Sequence, residues 1–378
     1  MDKITQERAK EYSRRKYTFA IIEIFYLLAL LGLFLGLGLS KILAQSISRP
    51  ALPAYLVLPV YLLLIYVFYW CLNFPLNFYC SFKLEHRFNL SNQKLSHWLL
   101  DQLKYGLITY IIGLILLGSF YYILKNNPNT WWLVVSAFWI FFSLILSKLT
   151  PVVIIPLFFK YKKLNDEELR QKIIRLAEKM RVGTLDVFEI DFSKKTTKAN
   201  AAFVGIGSTK RVILADTLKE KYSVDEIEII LAHEFAHYRL RHLLKLIMVN
   251  SLAITLSFYC IFYTSVYFLN IFGLSSLSDI ASLPLIILYL VIVSLVLGPL
   301  ENYISRRLEK NADLLALKET HNPQAFISMM DKLSSQNLAD RAPHPLIKFF
   351  FFDHPPVDER IALARNYTTR SFFPWPQS

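Results

Sequence analysis

The 378-residue chain is 54% hydrophobic and only 19% charged, a composition that excludes an ordinary soluble domain and indicates a membrane protein. Its three cysteines, Cys71, Cys80 and Cys260, lie in apolar segments without C-x-x-C spacing, which excludes a disulfide framework and a zinc knuckle. The net charge is +13, and the charged residues flank hydrophobic segments instead of forming one basic domain. Contact with anionic lipid headgroups is therefore favoured over nucleic-acid binding.

Six apolar segments are long enough to cross a bilayer, and we expect the first to be an uncleaved anchor. The predicted spans are approximately residues 18–39, 54–79, 104–124, 131–157, 244–268 and 282–303. The connections 41–53, 125–130 and 269–281 contain few or no Lys and Arg, whereas the N-terminal tail, 81–104 and 160–243 contain many. The positive-inside rule therefore places both termini and the segment between the fourth and fifth spans in the cytoplasm.

The segment between the fourth and fifth spans is predicted to form a small α+β unit. Asn165 is the expected N-cap of a helix with an acidic first turn, which ends near Gly183. Short strands are predicted at residues 185–192, 201–206 and 211–215.

A capping box at residues 223–226 begins the next predicted helix, which we expect to continue past His242 toward the fifth span. This helix carries the sequence H-E-F-A-H from His233 to His237. Histidines four residues apart lie on one helical face and can bind one metal ion. Glu234 lies beside that ion, where it can take a proton from a metal-bound water. The alternative interpretation is a solvated helix face with a chance glutamate.

A third ligand is available in the segment 305–313, where Glu309 and Asp313 are four residues apart. A zinc site that keeps one position open for water commonly uses two histidines and one carboxylate, so Glu309 is the predicted third ligand. Asp313 is suitably placed to accept a hydrogen bond from the second ring nitrogen of a ligand histidine. The alternative for this pair is a charged helix surface, and the upstream motif favours ligation.

These motifs and D-H-P-P-V-D-E-R at 353–360 resemble the type I CaaX prenyl endopeptidase family of integral-membrane zinc proteases. Further similar stretches are residues 85–90, 150–158, 200–205 and 211–218. The similarity runs in order from about residue 82 to about residue 365. It implies a mainly α fold, in which a polytopic membrane helical bundle or barrel carries a small α+β, gluzincin-like zinc metalloprotease domain on its cytoplasmic side.

The domain organisation departs from the family pattern, which usually has seven spans, five of them before the catalytic segment. Only four precede it here, because 41–53 is too short for another, and this leaves closure of the family's water-filled chamber undecided. We expect 1–157 to hold four membrane helices and 158–243 to hold the metalloprotease domain with H-E-x-x-H. Two further membrane helices fall in 244–303, and 304–378 completes the catalytic part with the third ligand.

The resemblance also implies residues that stabilise the oxyanion of the tetrahedral intermediate. His354 and Asn200 are the candidate donors, and Arg360 is expected to brace them. The alternative for the His354-Pro355-Pro356 sequence is a rigid turn that ends a helix. The family places this motif at the site, which favours the functional interpretation.

The segment 200–205 is predicted to bind substrate as an edge strand that pairs with an extended peptide. Its predicted substrate-binding residues are Asn200, Ala201, Phe203 and Gly205, and Gly205 permits close approach. The alternative is an ordinary strand and turn. His242, five residues beyond His237, falls off the ligand face and lies outside the predicted site.

Together these features predict a zinc endopeptidase with one Zn²⁺ that removes the last three residues of prenylated CaaX proteins. The expected partners are a peptide or protein substrate, prenylated or not, and membrane lipid, but no nucleic acid. The expected location is a bacterial inner membrane or the endoplasmic reticulum. One alternative is a membrane-protein quality-control protease without prenyl specificity. Another is a transporter or receptor with structural zinc, which Glu234 disfavours because a structural site needs no general base.

Overall fold

The computed structural model describes residues 2–48, 52–183, 186–204 and 210–370. The helices are α1 (Lys3–Gly36), α2 (Leu39–Ser48), α3 (Ala54–Phe78), α4 (Leu84–Arg87), α5 (Leu95–Asn126), α6 (Trp131–Leu149), α7 (Ile155–Phe158), α8 (Glu167–Lys179), α9 (Asp216–Lys219), α10 (Val224–Arg239), α11 (His242–Phe272), α12 (Leu283–Thr320), α13 (Pro323–Gln336), α14 (Pro345–Phe351) and α15 (Val357–Arg370). The strands are β1 (Tyr161–Lys163), β2 (Asp186–Ile190), β3 (Ala201–Val204) and β4 (Arg211–Ala215).

Six helical segments of the described chain are long and apolar enough to cross a membrane, and they coincide with the six predicted spans. Two of them are compound, because π-helical turns at Tyr79–Lys83 and Thr150–Ile154 join α3 to α4 and α6 to α7. The last span continues without a break from the apolar part of α12 into its polar end. Glu309 and Asp313 therefore lie on the polar end of the same helix that crosses the membrane region.

The six long helices pack in a closed ring in the order α1, α3, α5, α6, α11, α12 and back to α1. Between α1 and α3, Asn73 donates to Glu23 at 3.2 Å. The ten residues of α2 span only about 15 Å, too short to cross a bilayer. This helix instead packs against α3 and the turn before α12, where Ser40 is bonded to Tyr61 (2.8 Å) and to the Ala281 carbonyl. Six helices therefore suffice to close the ring.

A four-stranded sheet lies beside the metal-motif helix in the order β1-β2-β4-β3. Strands β2 and β4 are parallel and the other pairs are antiparallel, with Ala201 opposite Leu214 and Phe203 opposite Val212. The β3 strand is therefore an edge, as predicted. The strand β1 was not predicted from the sequence, and parts of the predicted strands at 185 and at 205–206 lie outside the described residues.

Side-chain caps fix where α8 and α10 begin. The N-cap of α8 is Asp166, whose side chain accepts from the Leu169 N–H at 3.0 Å, so the expectation of Asn165 is wrong by one residue. The capping box of α10 is confirmed: Ser223 and Glu226 each accept from the other's backbone N–H. Apolar side chains of both helices belong to one hydrophobic core, which also includes residues of the sheet, α12, α13 and α15.

The expectation that the metal-motif helix continues past His242 is wrong. Helix α10 ends at Arg239, and Arg241 adopts a left-handed conformation with φ of 54° before α11 begins at His242. A non-glycine residue with this backbone is uncommon. The break turns the chain so that His242 comes back toward α10.

Candidate metal centre

Three side chains from two helices converge at the interface between α10 and α12. His233 and His237 are one turn apart on α10, and their Nε2 atoms lie 3.1 Å apart. Glu309 of α12 places Oε2 3.2 Å from His233 Nε2 and Oε1 3.2 Å from His237 Nε2. The second histidine and the carboxylate are 72 positions apart and the segment between them includes a whole membrane helix, so tertiary packing alone brings them together.

The spacing of these three residues fits a metal ion. Zinc–ligand bonds of about 2.0–2.1 Å at tetrahedral angles place neighbouring ligand atoms about 3.3 Å apart. The observed separations of 3.1, 3.2 and 3.2 Å are close to that value, with each histidine facing a different oxygen of the Glu309 carboxylate. Glu309 Oε2 is buried without a hydrogen-bond partner in the described chain, an arrangement that is costly unless a cation satisfies it. His233, His237 and Glu309 therefore suit a divalent ion.

A buried ion pair supports His233 from behind. The His233 Nδ1 donates to Asp313 Oδ1 at 2.9 Å, and Asp313 is fully buried. Arg360 of α15 grips the same carboxylate with two hydrogen bonds, 2.8 Å from Nε and 2.6 Å from the terminal nitrogen. The structure thus places Asp313 where the sequence predicts it. Arg360 was expected to brace His354 and Asn200, but its guanidinium is bonded to Asp313 instead.

The carboxylates around His233 stabilise a positive charge at its ring. Burial opposes its protonation, but the hydrogen bond to Asp313 and the nearby Glu309 carboxylate outweigh burial and raise the pKa of His233 to about 9. A metal ion competes with protons for the same nitrogen lone pair. The carboxylates that stabilise the proton will likewise stabilise a divalent cation.

His237 has a different partner, which sequence reasoning missed. Its Nδ1 lies 3.1 Å from Nδ1 of His242, a residue with only 1% of its surface exposed. A helix continuing through residue 242 would carry this side chain off the ligand face. The left-handed Arg241 reverses that direction, and no local sequence pattern signals it.

The expected general base, Glu234, lies between the two histidines on α10 and is partly exposed. Its carboxylate makes no hydrogen bond to any residue in the described parts of the chain. The group is therefore free to interact with a water or a substrate. Its role stays a prediction.

His354 lies beside the ligand carboxylate, with Nε2 3.4 Å from Glu309 Oε1. Its Nδ1 donates to Asp353 at 2.9 Å. The hydrogen bond to Asp353 and the charge of Glu309 raise the pKa of His354 above its ordinary value of 6.5. The side chain is half exposed, so it can donate a hydrogen bond to a bound group.

The predicted substrate strand lies against the metal-motif helix. Phe203 of β3 packs edge to face on Phe235 and Tyr238 of α10, with centroids 5.6 and 5.5 Å away. Asn200 precedes the strand and is exposed, and its carbonyl accepts from the Ala215 N–H at 3.0 Å. Gly205 lies outside the described residues. The substrate roles of this segment, including Ala201, stay predictions.

Comparison with known proteins places this arrangement in a family. Residues 163–368 match the model of peptidase family M48, and residues 1–160 match a model described as the CAAX prenyl protease N-terminal region with five membrane helices. The chain belongs to the CaaX prenyl proteases of peptidase family M48.

Relatives of this M48 protease span most of its length. CAAX prenyl protease 1 of Saccharomyces cerevisiae is 30% identical, over 98% of this chain and 87% of the relative. The Bacillus subtilis metalloprotease YhfN is 31% identical, over 76% of this chain and 68% of the relative. The crystal structure of S. mikatae Ste24p has a TM-score of 0.85 and 27% identity, and the match covers 96% of this chain and 90% of that chain.

Family membership establishes this M48 protease as a multi-pass integral-membrane metalloprotease that acts on peptide or protein substrates. A transporter or receptor with structural zinc is accordingly not favoured. The N-terminal family model has five membrane helices, whereas the described residues between 2 and 160 contain four helices long enough to span, together with the short α2.

Proposed function

We propose that this metalloprotease binds one zinc ion through His233, His237 and Glu309 and hydrolyses a peptide bond with Glu234 as the general base. The observation that carries the proposal is the convergence of His233, His237 and Glu309, whose facing ligand atoms lie 3.1–3.2 Å apart. Beside them lies the Glu234 carboxylate, which makes no hydrogen bond to the described residues. Bound zinc supplies Lewis-acid polarisation of the scissile carbonyl and lowers the pKa of its water.

The side chains around the ligands have distinct roles in this mechanism. Glu234 takes a proton from the attacking water and passes it to the leaving amine. His354 donates from its imidazole to the oxyanion that develops on the carbonyl, and Asn200 supplies a second donor. Asp313, held by Arg360, keeps His233 oriented. The edge of β3 pairs with the extended substrate backbone.

A glutamine at position 234 tests the general base. Glu234→Gln keeps the size of the side chain and removes its basicity, so we expect cleavage to fall about 10²–10⁴-fold while the zinc content stays stoichiometric. Glu228→Gln, an exposed change on the same helix, is the matched control and should leave cleavage intact. Undiminished cleavage by Glu234→Gln would eliminate this residue as the base.

We further propose that the substrate is a prenylated CaaX protein that loses its C-terminal tripeptide. The support is similarity to CAAX prenyl protease 1 along 98% of this chain. The test incubates the purified protein with paired farnesylated and unfarnesylated CaaX peptides, with and without a chelator. Preferential, chelator-sensitive cutting of the farnesylated peptide is expected. Equal cutting of both would favour a quality-control protease without prenyl specificity.

The distribution of Lys and Arg supports a cytoplasmic catalytic domain with both termini on the same side. The basic tail and the segment 160–243 then lie together, and the sparsely charged connections 41–53, 125–130 and 269–281 lie on the opposite side. This orientation suits a bacterial inner membrane or the endoplasmic reticulum.

A further inference from the structure

His242 is a buried polar side chain that the proposed mechanism does not use. Its ring meets that of His237 edge to face, with centroids 5.0 Å apart and planes at 81°. The two Nδ1 atoms lie 3.1 Å apart, at hydrogen-bonding distance. The opposite ring nitrogen of His237, Nε2, is the one that faces His233 and Glu309. One imidazole therefore connects the ligand cluster to His242.

The hydrogen bond between these rings requires one donor and one acceptor, and ligation decides which is which. A neutral His237 that binds metal through the Nε2 lone pair carries its proton on Nδ1. His237 is then the donor, and His242 must accept at its own Nδ1. A neutral His242 in this state carries its proton on Nε2, an atom that is buried without a hydrogen-bond partner in the described chain.

Two unfavourable features coincide at this position. The first is the left-handed backbone of Arg241, which directs His242 back toward α10. The second is the unpaired Nε2, since burial of a polar group without a partner costs free energy. Strain and an unsatisfied group that persist side by side indicate a compensating role. Both features allow one interaction, the hydrogen bond that His237 donates to His242.

We propose that His242 is a positioning residue that holds His237 in the tautomer and ring orientation required for metal binding. It corresponds to Asp313 behind His233, with a neutral imidazole in place of a carboxylate. This inference rests on the proposed function, because it requires the metal to bind at His233, His237 and Glu309. Loss of such an outer partner weakens metal binding by about 10–100-fold.

The test measures zinc affinity of the full-length protein in detergent micelles, by titrating the zinc-stripped protein in competition with a chelating dye. His242→Phe keeps the ring volume and removes the acceptor, so we expect affinity to fall about 10–100-fold. His242→Asn offers an amide oxygen near the position of Nδ1 and should recover most of the affinity. The visible spectrum of the cobalt-substituted protein reports ligand geometry and should change in His242→Phe but not in His242→Asn.

His86→Phe is the matched control for removal of a hydrogen-bonded histidine away from the metal. The two ring nitrogens of His86 lie 2.8 and 3.0 Å from the carbonyl oxygens of Phe82 and Gln93, and the ring donates a hydrogen bond to one of them. This variant should therefore lose thermal stability while its zinc affinity stays the same. Wild-type zinc affinity and cobalt spectrum in His242→Phe would overturn the inference, as would equal losses in His242→Phe and His242→Asn. A wild-type protein that binds no zinc would overturn the proposed function itself, and this inference with it.

Discussion

Replacing Asp313 by leucine removes the acceptor behind His233 and leaves the Arg360 guanidinium buried without its partner. Asp313 is fully buried and the Arg360 side chain is 14% exposed. Two unit charges about 4 Å apart at an effective dielectric constant near 20 interact by about 4 kcal/mol. Loss of one member of a buried pair typically costs about 3–5 kcal/mol. We therefore expect Asp313→Leu to lower the free energy of unfolding of the zinc-stripped protein by about that amount.

A second substitution separates stability from metal binding. Adding Arg360→Met to Asp313→Leu removes the uncompensated charge, and apolar replacement of a whole buried ion pair is often neutral or stabilising. We expect the double variant to recover most of the lost stability. Its zinc affinity should stay about 10–100-fold below that of the wild type, because His233 still lacks its acceptor.

The assays are denaturant unfolding of the zinc-stripped protein in detergent and zinc titration against a chelating dye. A double variant no more stable than Asp313→Leu would refute the assigned cost of the unpaired guanidinium. Recovery of zinc affinity in the double variant would refute the role of the acceptor. The cause would then be repulsion from Arg360, whose terminal nitrogen lies 3.5 Å from His233 Nδ1.

Three further predictions concern stability, the metal and the substrate edge. Burial raises the pKa of Glu226, but hydrogen bonds from Lys332, Ser328 and the Ser223 N–H outweigh burial and lower it below 4.5. Glu226→Gln should therefore lower the free energy of unfolding by about 1–3 kcal/mol at pH 7. In unfolding measured over a pH series, the difference in stability between wild type and variant should fade as pH falls through the lowered pKa, and a difference that stays constant would contradict this. Chelation should abolish cleavage and lower the melting temperature, and both should return as zinc is added back, with activity levelling off once the site is filled. Activity that persists in the demonstrably zinc-free protein would exclude the metal. Phe203→Ala, which removes the ring packed on α10, should raise KM for peptides without changing zinc affinity, and an unchanged KM would remove β3 from the substrate site.

Features encoded in local spacing were predictable from the sequence. The six apolar segments were recognisable because each must satisfy its own backbone in lipid and present apolar side chains over its length. The pair His233 and His237 was recognisable because a four-residue spacing places side chains on one helical face. The capping box at Ser223 and Glu226 was recognisable for the same reason, since its hydrogen bonds connect residues three apart.

Tertiary packing decided what those local patterns left open. It brought Arg360 into contact with Asp313, 47 positions away in the sequence. It arranged the six long helices in a ring and packed the short helix α2 against α3 and the turn before α12. It also turned the chain at Arg241, so that a histidine expected outside the site contacts a ligand. The sequence by itself thus determined the helices, the spans and the residues able to bind a metal, because these depend on neighbours within a turn. Which partners hold those residues in place depends on contacts between distant segments, which only the folded chain brings together.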